Sequence, residues 1–191
     1  MRRGKQLVFL VVTILMGINP IVASANYSKK SLRAALTFQS APITYEIQQK
    51  SPYYTKMWRE AINTWNKELK TKGQKSNVFV PVKKHQTPDI TLSAVNKYNW
   101  SAKNVTGTTR RFFKRRGISH DQVRLNIKQV KKLHYSYQER RNVMVHELGH
   151  VIGLPHNNNY RSVMYYAARK QTIQREDING AKWLINNKIT Y

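Results

Sequence analysis

HELGHVIGLPH, residues 146–156, is the most informative stretch of this sequence. On a helix, His146 and His150 are four residues apart, so both imidazoles project from one face and can bind a single metal ion. Glu147 follows the first histidine directly, where its carboxylate can reach a water on the metal without filling the coordination sphere. The first half of the stretch therefore predicts a metal site on a helix.

The second half of the stretch predicts a turn and a third ligand. Gly153 can adopt the left-handed conformation that ends a helix, and Pro155 stiffens the exit, so the chain can bring His156 back to the metal. Three neutral nitrogen ligands with an open fourth position are typical of a catalytic zinc ion. The alternative is a basic helix with core histidines, but the five specified residues have a chance expectation on the order of 10⁻⁴ in a chain of this length.

Composition limits the class of protein. The chain has 191 residues, which fits one domain, and 40% of them are apolar, which argues against intrinsic disorder. It contains no cysteine, which excludes disulfides, thiolate metal sites and cysteine nucleophiles. The formal net charge of +25 predicts attraction to polyanions such as nucleic acid, an anionic membrane or an acidic cell-wall polymer.

Residues 1–25 have the pattern of a secretory signal peptide. Three basic residues precede an apolar run at 7–18, and Ala23-Ser24-Ala25 forms a small-x-small cleavage site. A stable membrane span needs about 20 apolar residues, and this run is shorter. The sequence thus predicts a secreted protein, extracellular or associated with a cell wall, and the lack of cysteine favours a bacterial source.

The remainder reads as an N-terminal tether over 26–41 and one α+β domain over 42–191. Hydrophobic alternation predicts strands, whereas apolar residues three and four apart predict helices. Strands are predicted at 43–47, 78–80, 90–94, 105–113 and 123–127, with a turn at Gly117. Helices are predicted from Pro52 to before Gly73, over 138–152 and over 174–187.

The extended zinc motif resembles that of the metzincin metalloproteases. Ser162-Val163-Met164-Tyr165 is similar to their second mark, a methionine turn, with Met164 as a floor beneath the histidines. The likeness extends to the matrixin branch, because 43–47, 88–92 and 176–180 resemble its first strand, its third strand and the start of its last helix. This resemblance implies a zincin-like catalytic domain with a twisted, mostly parallel five-stranded sheet and three helices.

The resemblance also implies a zinc endopeptidase acting on a protein or peptide substrate. His146, His150 and His156 would bind one catalytic zinc ion, which activates a water and polarises the peptide carbonyl. Glu147 would be the general base. An extended peptide would pair with the edge strand at 105–113.

Several features depart from the matrixin pattern. The chain has no cysteine to block the zinc, and it has no acidic residue between Asp89 and Asp121, so structural zinc and calcium sites are predicted to be absent. His85, His120 and His134 are predicted to be surface residues.

Two further positions stand close to the zinc motif and the methionine turn in the chain. Tyr166 comes two residues after Met164, where it is either a tyrosine near the zinc or an aromatic residue of the core. Asn142, four residues before His146, matches the position that shapes the specificity pocket in matrixins.

The remaining hypothesis concerns a basic cluster beside the predicted substrate strand, Arg110, Arg111, Lys114, Arg115 and Arg116. It predicts a preference for acidic substrates or retention on an anionic cell-wall polymer. The competing function is a secreted cationic protein that binds nucleic acid or cell envelope, with a vestigial zinc site. Since no nucleic-acid-binding motif is present, we expect no specific nucleic-acid partner, and we expect a monomer.

Overall fold

Five strands form one sheet in the computed structural model, which describes residues 27–33, 38, 42–70, 77–96, 104–114, 117–167 and 169–187. The strands are β1 Ile43–Ile47, β2 Phe79–Pro81, β3 Ile90–Val95, β4 Gly107–Lys114 and β5 Gly117–Asn126. Their order across the sheet is β2-β1-β3-β5-β4. All neighbours are parallel except β4, which runs antiparallel to β5 and lies at an edge. The predicted mostly parallel five-stranded sheet is confirmed.

Five helices are present in the described ranges, two more than the three predicted. They are α1 Lys29–Arg33, α2 Pro52–Leu69, α3 Ile127–Lys132, α4 Tyr137–Ile152 and α5 Arg175–Asn186. The three long helices are those expected from the sequence, whereas α1 and α3 are only five and six residues long. None of the helices in these ranges has the length and apolar character that a membrane span needs.

The last strand of the sheet corrects a predicted boundary. The predicted strand ran from 123 to 127, but β5 already begins at Gly117 and pairs with β4 from there. It ends at Asn126, whose side chain accepts a hydrogen bond from the Gln129 backbone N–H at 3.1 Å. This N-cap starts α3, so Ile127 is helical although it continues the alternating pattern.

The core lies between the sheet and the helices α2 and α4. The strands contribute alternate residues, as in β3, where every second side chain is buried. Trp58, Trp65 and Leu148 are fully buried on the helices, and burial of each large apolar side chain contributes about 1.5–3 kcal/mol. Trp65 Nε1 also donates a buried hydrogen bond of 2.8 Å to the Val145 carbonyl. That bond joins α2 to the middle of α4, next to the predicted zinc motif.

The two central helices begin in different ways. Helix α2 begins at Pro52, as predicted; Ser51 before it makes no side-chain capping hydrogen bond, and proline suits the first turn because an N–H there would have no partner within the helix. At α4, Ser136 and Glu139 form a reciprocal capping box. The zinc motif therefore lies on a helix whose start is defined by its own sequence.

The segment predicted as a tether is described only at 27–33 and at Phe38. In that part Leu32 and Phe38 are buried in the core. The Tyr27 hydroxyl donates a 2.8 Å hydrogen bond to Asp177 at the start of α5. These residues pack on the domain.

Candidate metal centre

The C-terminal half of α4 and the turn after it bring the three predicted histidines together. His146 and His150 lie one turn apart on α4, and Gly153 ends the helix with φ 108°, the left-handed conformation that glycine favours. The chain then reverses and returns His156. Ligand atoms of the three side chains all lie within 4.8 Å of one another.

Hydrogen bonds determine which ring nitrogens carry protons. His146 Nδ1 lies 2.7 Å from the Val163 carbonyl oxygen, and His150 Nδ1 lies 2.8 Å from the Leu154 carbonyl oxygen. A carbonyl can only accept, so both Nδ1 atoms must donate. Burial lowers the pKa of His146 to about 3 and holds the pKa of His150 well below its ordinary value. Both rings are therefore neutral, with bare Nε2 atoms.

These bare nitrogens fit a cation. The Nε2 atoms of His146 and His150 face one another at 3.1 Å, and two acceptors at that distance cannot hydrogen-bond to each other. The Nε2 of His156 is buried and has no hydrogen-bond partner in the part of the chain that the structure describes. Burial also lowers the pKa of His156. Three neutral imidazoles that converge in this way suit zinc.

Glu147 lies beside the triad with its carboxyl group held by β4. It is 6% exposed, and the Thr109 hydroxyl lies 2.8 Å from its Oε2. Burial raises the pKa of Glu147 to about 8, against the hydrogen bond from Thr109, which lowers it. A Cβ at Gly107 would stand 2.7 Å from Glu147 Oε1, so glycine is needed for this close approach. The carboxyl group can accept and release a proton near neutral pH.

Comparison with known proteins assigns this geometry to a family. The family model for matrixins matches residues 33–186. This chain is a matrixin. Membership supports a zinc metalloprotease in general, and the histidine triad provides residues that could hold the metal ion.

Other comparisons add little. No curated protein matches the sequence. Among solved structures, a similar chain belongs to one described as the GM1 bound form of the ECX AB5 holotoxin. It is 17% identical, the match covers 84% of this matrixin and 92% of that chain, and the TM-score is 0.45. A TM-score that low carries no argument about fold or function.

The methionine turn lies directly beneath the zinc motif of this matrixin. Met164 is fully buried, and a Cβ at Gly149 would collide with its Sδ atom. Gly149 is thus required so that the methionine can approach α4. The sequence motif has glycine at this position for a steric reason.

Asp177 anchors the methionine turn, a role that sequence reasoning missed. Its carboxylate accepts hydrogen bonds from the Ser162 hydroxyl at 2.6 Å and from the Val163 N–H at 3.3 Å. The Val163 carbonyl in turn accepts a hydrogen bond from His146 Nδ1. The sequence showed Asp177 only as an acid at the start of the last helix, and nothing local pointed to the turn.

One predicted residue lies in a different environment from that expected. Arg111, assigned to a surface basic cluster, is 8% exposed and forms an ion pair with Asp121. Its inward position follows from strand alternation with Thr109. Arg111 therefore does not share an exposed surface with the rest of the predicted basic cluster. Arg115 and Arg116 lie outside the described residues.

The remaining predicted residues have other contacts or are exposed. Tyr166 is 50% exposed with its ring 4.4 Å from that of Tyr165, and its place near a zinc ion stays a prediction. Asn142 is buried and donates to the Arg169 carbonyl at 2.9 Å. His120 is partly buried, with Nε2 3.0 Å from the Thr91 hydroxyl, whereas His85 and His134 are exposed.

Proposed function

We propose that this matrixin is a secreted zinc-dependent endopeptidase. The observation that carries the proposal is the convergence of three neutral imidazoles, that of His146 buried and the other two half-buried, beside the carboxyl group of Glu147. In this proposal His146, His150 and His156 hold the zinc ion. The predicted signal peptide supports secretion.

Glu147 would carry the proton through the reaction. Zinc, when bound, lowers the pKa of water to about 7 and polarises a carbonyl. Glu147 accepts a proton from the attacking water as the water oxygen bonds to the peptide carbonyl carbon. It then donates that proton to the amide nitrogen as the C–N bond breaks. Burial, which raises the pKa of Glu147, favours its holding the proton between the two steps.

The substrate would bind as an extended strand. β4 ends the sheet order, so its outer edge has no strand partner in the described part of the chain. An extended peptide could add to this edge through main-chain hydrogen bonds. The inner side of the same strand contacts Glu147 through Thr109, so the peptide would lie next to the catalytic groups.

The charge of the protein supports a location on an anionic polymer. A net charge of +25 attracts polyanions, and a cell wall is one that a secreted protein meets. Retention should weaken as ionic strength rises, because salt screens exposed charges. Binding to purified anionic cell-wall polymer that did not change between low and high salt would contradict this location.

Cleavage of casein or gelatin by the purified protein tests the proposed activity. We expect cleavage that a chelator abolishes and added zinc restores. Glu147→Gln keeps the shape of the side chain and one oxygen that can accept from Thr109 but removes the base, so it should lower kcat by about 100-fold or more. Its zinc content should stay at the wild-type level.

His134→Gln, an exposed histidine, is the control for changes that touch no ligand. Cleavage that persisted in chelator or in Glu147→Gln would reject the mechanism. No cleavage of any protein or peptide substrate would reject the activity.

A further inference from the structure

We propose that the buried ion pair Arg111–Asp121 positions the second zinc ligand, His150, and the turn that follows it. The proposal rests on the proposed metal site, but it concerns residues outside the zinc motif. Arg111 lies on β4 and Asp121 on β5, in directly opposed positions of the antiparallel ladder.

The ion pair between Arg111 and Asp121 is bidentate and buried. Arg111 Nε lies 3.0 Å from Asp121 Oδ1, and Nη2 lies 2.8 Å from Oδ2. The side chain of Asp121 is fully buried and that of Arg111 is 9% exposed. Two parallel N–H···O bonds fix the plane of a guanidinium group as well as its place.

The same guanidinium group reaches the end of the active-site helix. Arg111 Nη2 lies 3.0 Å from the carbonyl oxygen of His150 and 3.1 Å from that of Val151. The last carbonyls of a helix lack intrahelical partners, and a cation there is also favoured by the helix dipole. Arg111 thus binds the backbone of the ligand residue itself.

The turn beyond the helix depends on those carbonyls. The Gly153 N–H donates to the His150 carbonyl at 3.0 Å, so it shares an acceptor with Arg111. One residue later, the Leu154 carbonyl accepts the proton of His150 Nδ1. A shift of this turn would therefore rotate the His150 ring and displace His156, which follows two residues after Leu154.

An ion pair is not needed here for stability alone. Removal of two charges from water is expensive, and a buried ion pair can often be replaced by apolar residues without loss of stability. Apolar residues, however, cannot donate to two carbonyls. The ion pair therefore serves to place the Nη2 donor of Arg111 at the helix end, and Asp121 orients the guanidinium group.

Strand β4 also contacts a second group of the site, the carboxylate of Glu147. Thr109 and Arg111 are two apart on β4 and both face α4. The first contacts the Glu147 carboxylate and the second contacts the His150 carbonyl. One strand thus positions two groups of the site from the side opposite the methionine turn.

The decisive variant is the double substitution Arg111→Met with Asp121→Leu, made in the full protein. It removes both charges together and fills the same space with apolar side chains. We expect only a small loss of thermal stability, because the His150 carbonyl keeps the Gly153 N–H as a donor, with zinc affinity, measured by competition with a chromogenic chelator, about 10–100-fold weaker. In the metal-free protein, the amides of Gly153 and Leu154 should exchange with deuterium about 10-fold faster or more, because both lie in the turn.

Asn66→Leu is the matched control for loss of a buried polar contact elsewhere. Asn66 is buried and exchanges two hydrogen bonds of 2.9 Å with the Phe79 backbone at β2. This control should lower stability while zinc affinity and exchange at Gly153 and Leu154 stay within about twofold of the wild type. Equal losses of zinc affinity in both variants would show a merely structural role and overturn the proposal.

Arg111→Lys keeps the assay decisive if the double variant does not fold. Lysine preserves the charge beside Asp121 but lacks the planar fork. We expect it to weaken zinc binding and to speed exchange at the turn, and unchanged values of both would overturn the proposal. Neither readout needs a substrate, so a wild-type protein without protease activity would reject the proposed function and leave this test standing.

Discussion

Two buried carboxylates support the active-site helix from opposite sides, and they do so with different donors. On one side Asp177 accepts hydrogen bonds from the neutral groups of Tyr27, Ser162, Val163 and Gln174. Through the Val163 carbonyl this network fixes the first histidine of the triad. On the other side, a single cation satisfies Asp121 and reaches the carbonyl of the second histidine.

The difference between these two networks determines which of them can be replaced. Two of the donors to Asp177 are backbone N–H groups, which no substitution removes. Loss of its carboxylate leaves them buried and unpaired. Arg111 and Asp121 are both side chains, so the charges can be removed together, and the His150 carbonyl that Arg111 leaves keeps the Gly153 N–H as its donor. The first network is therefore obligatory for the fold, whereas the second is specific to the geometry of the site.

The largest expected effect is that of Asp177→Ala. It leaves two hydroxyls and two backbone N–H groups without their acceptor, so we expect the free energy of unfolding to fall by roughly 3–5 kcal/mol. Urea unfolding followed by tryptophan fluorescence measures this. If the Arg111→Met, Asp121→Leu variant lost as much stability as Asp177→Ala, the stated difference between the two networks would be wrong.

Acid should destabilise the metal-free protein, because the histidines between the two networks are held neutral. Unfolded histidines bind protons below about pH 6.5, whereas burial lowers the pKa of all three in the folded state. Glu147 acts oppositely, since its folded pKa of about 8 lets only the folded state hold its proton between pH 5 and 6.5. The three histidines together outweigh Glu147, so the unfolded state binds up to two more protons as the pH falls from 6.5 to 5, and stability should fall with a slope that approaches at most roughly 3 kcal/mol per pH unit near pH 5.

Urea unfolding of the metal-free protein at pH 7, 6 and 5 measures that slope. His134→Gln removes an exposed histidine and should leave the slope of stability against pH unchanged. A flat profile would show that the triad takes up protons without unfolding. It would contradict the neutral state assigned to these rings.

Gly149→Ala tests the contact between α4 and the methionine turn. The added Cβ would collide with Met164 Sδ, and overpacking of this kind lowers stability by about 1–3 kcal/mol. Met164→Ala removes the colliding atom, so the double variant should be more stable than the sum of the two single effects implies. Strict additivity in calorimetric melting would show that the two residues do not meet.

Tyr27→Phe should have the smallest effect. It removes one of the hydrogen bonds to Asp177 and leaves the ring against Gly180, so the expected loss is about 0.5–1.5 kcal/mol. Chemical denaturation measures it, with Tyr160→Phe, an exposed tyrosine, as the control. A loss as large as that of Asp177→Ala would mean that Tyr27 is the main support of the network.

Elements with a strong local pattern were predicted well from the sequence. The three long helices follow from apolar periodicity, and α4 also has a capping box and a terminal glycine. The two short helices α1 and α3 were missed because five or six residues are too few to show a helical period. The start of β5 was also missed, since it depends on pairing with β4 and not on its own composition.

The candidate site was predicted only where its residues lie close together in the chain. The motif at 146–156 places His146, His150 and Glu147 on one helix turn and predicts the return of His156. Thr109, Arg111, Asp121 and Asp177 come from distant segments, and their partners depend on how strands and helices meet. Arg111 in particular resembled its exposed neighbours until strand alternation turned it inward.

The sequence by itself determined which side chains are candidates for metal binding and proton transfer, because one helix and one turn bring them together over eleven residues. Tertiary structure alone decided how those groups are held. A buried carboxylate costs free energy unless donors satisfy it, and those donors come from other parts of the chain. Hence the chemistry can be predicted from a local motif, whereas the support of each ligand, from the methionine turn on one side and from β4 on the other, required the packed fold.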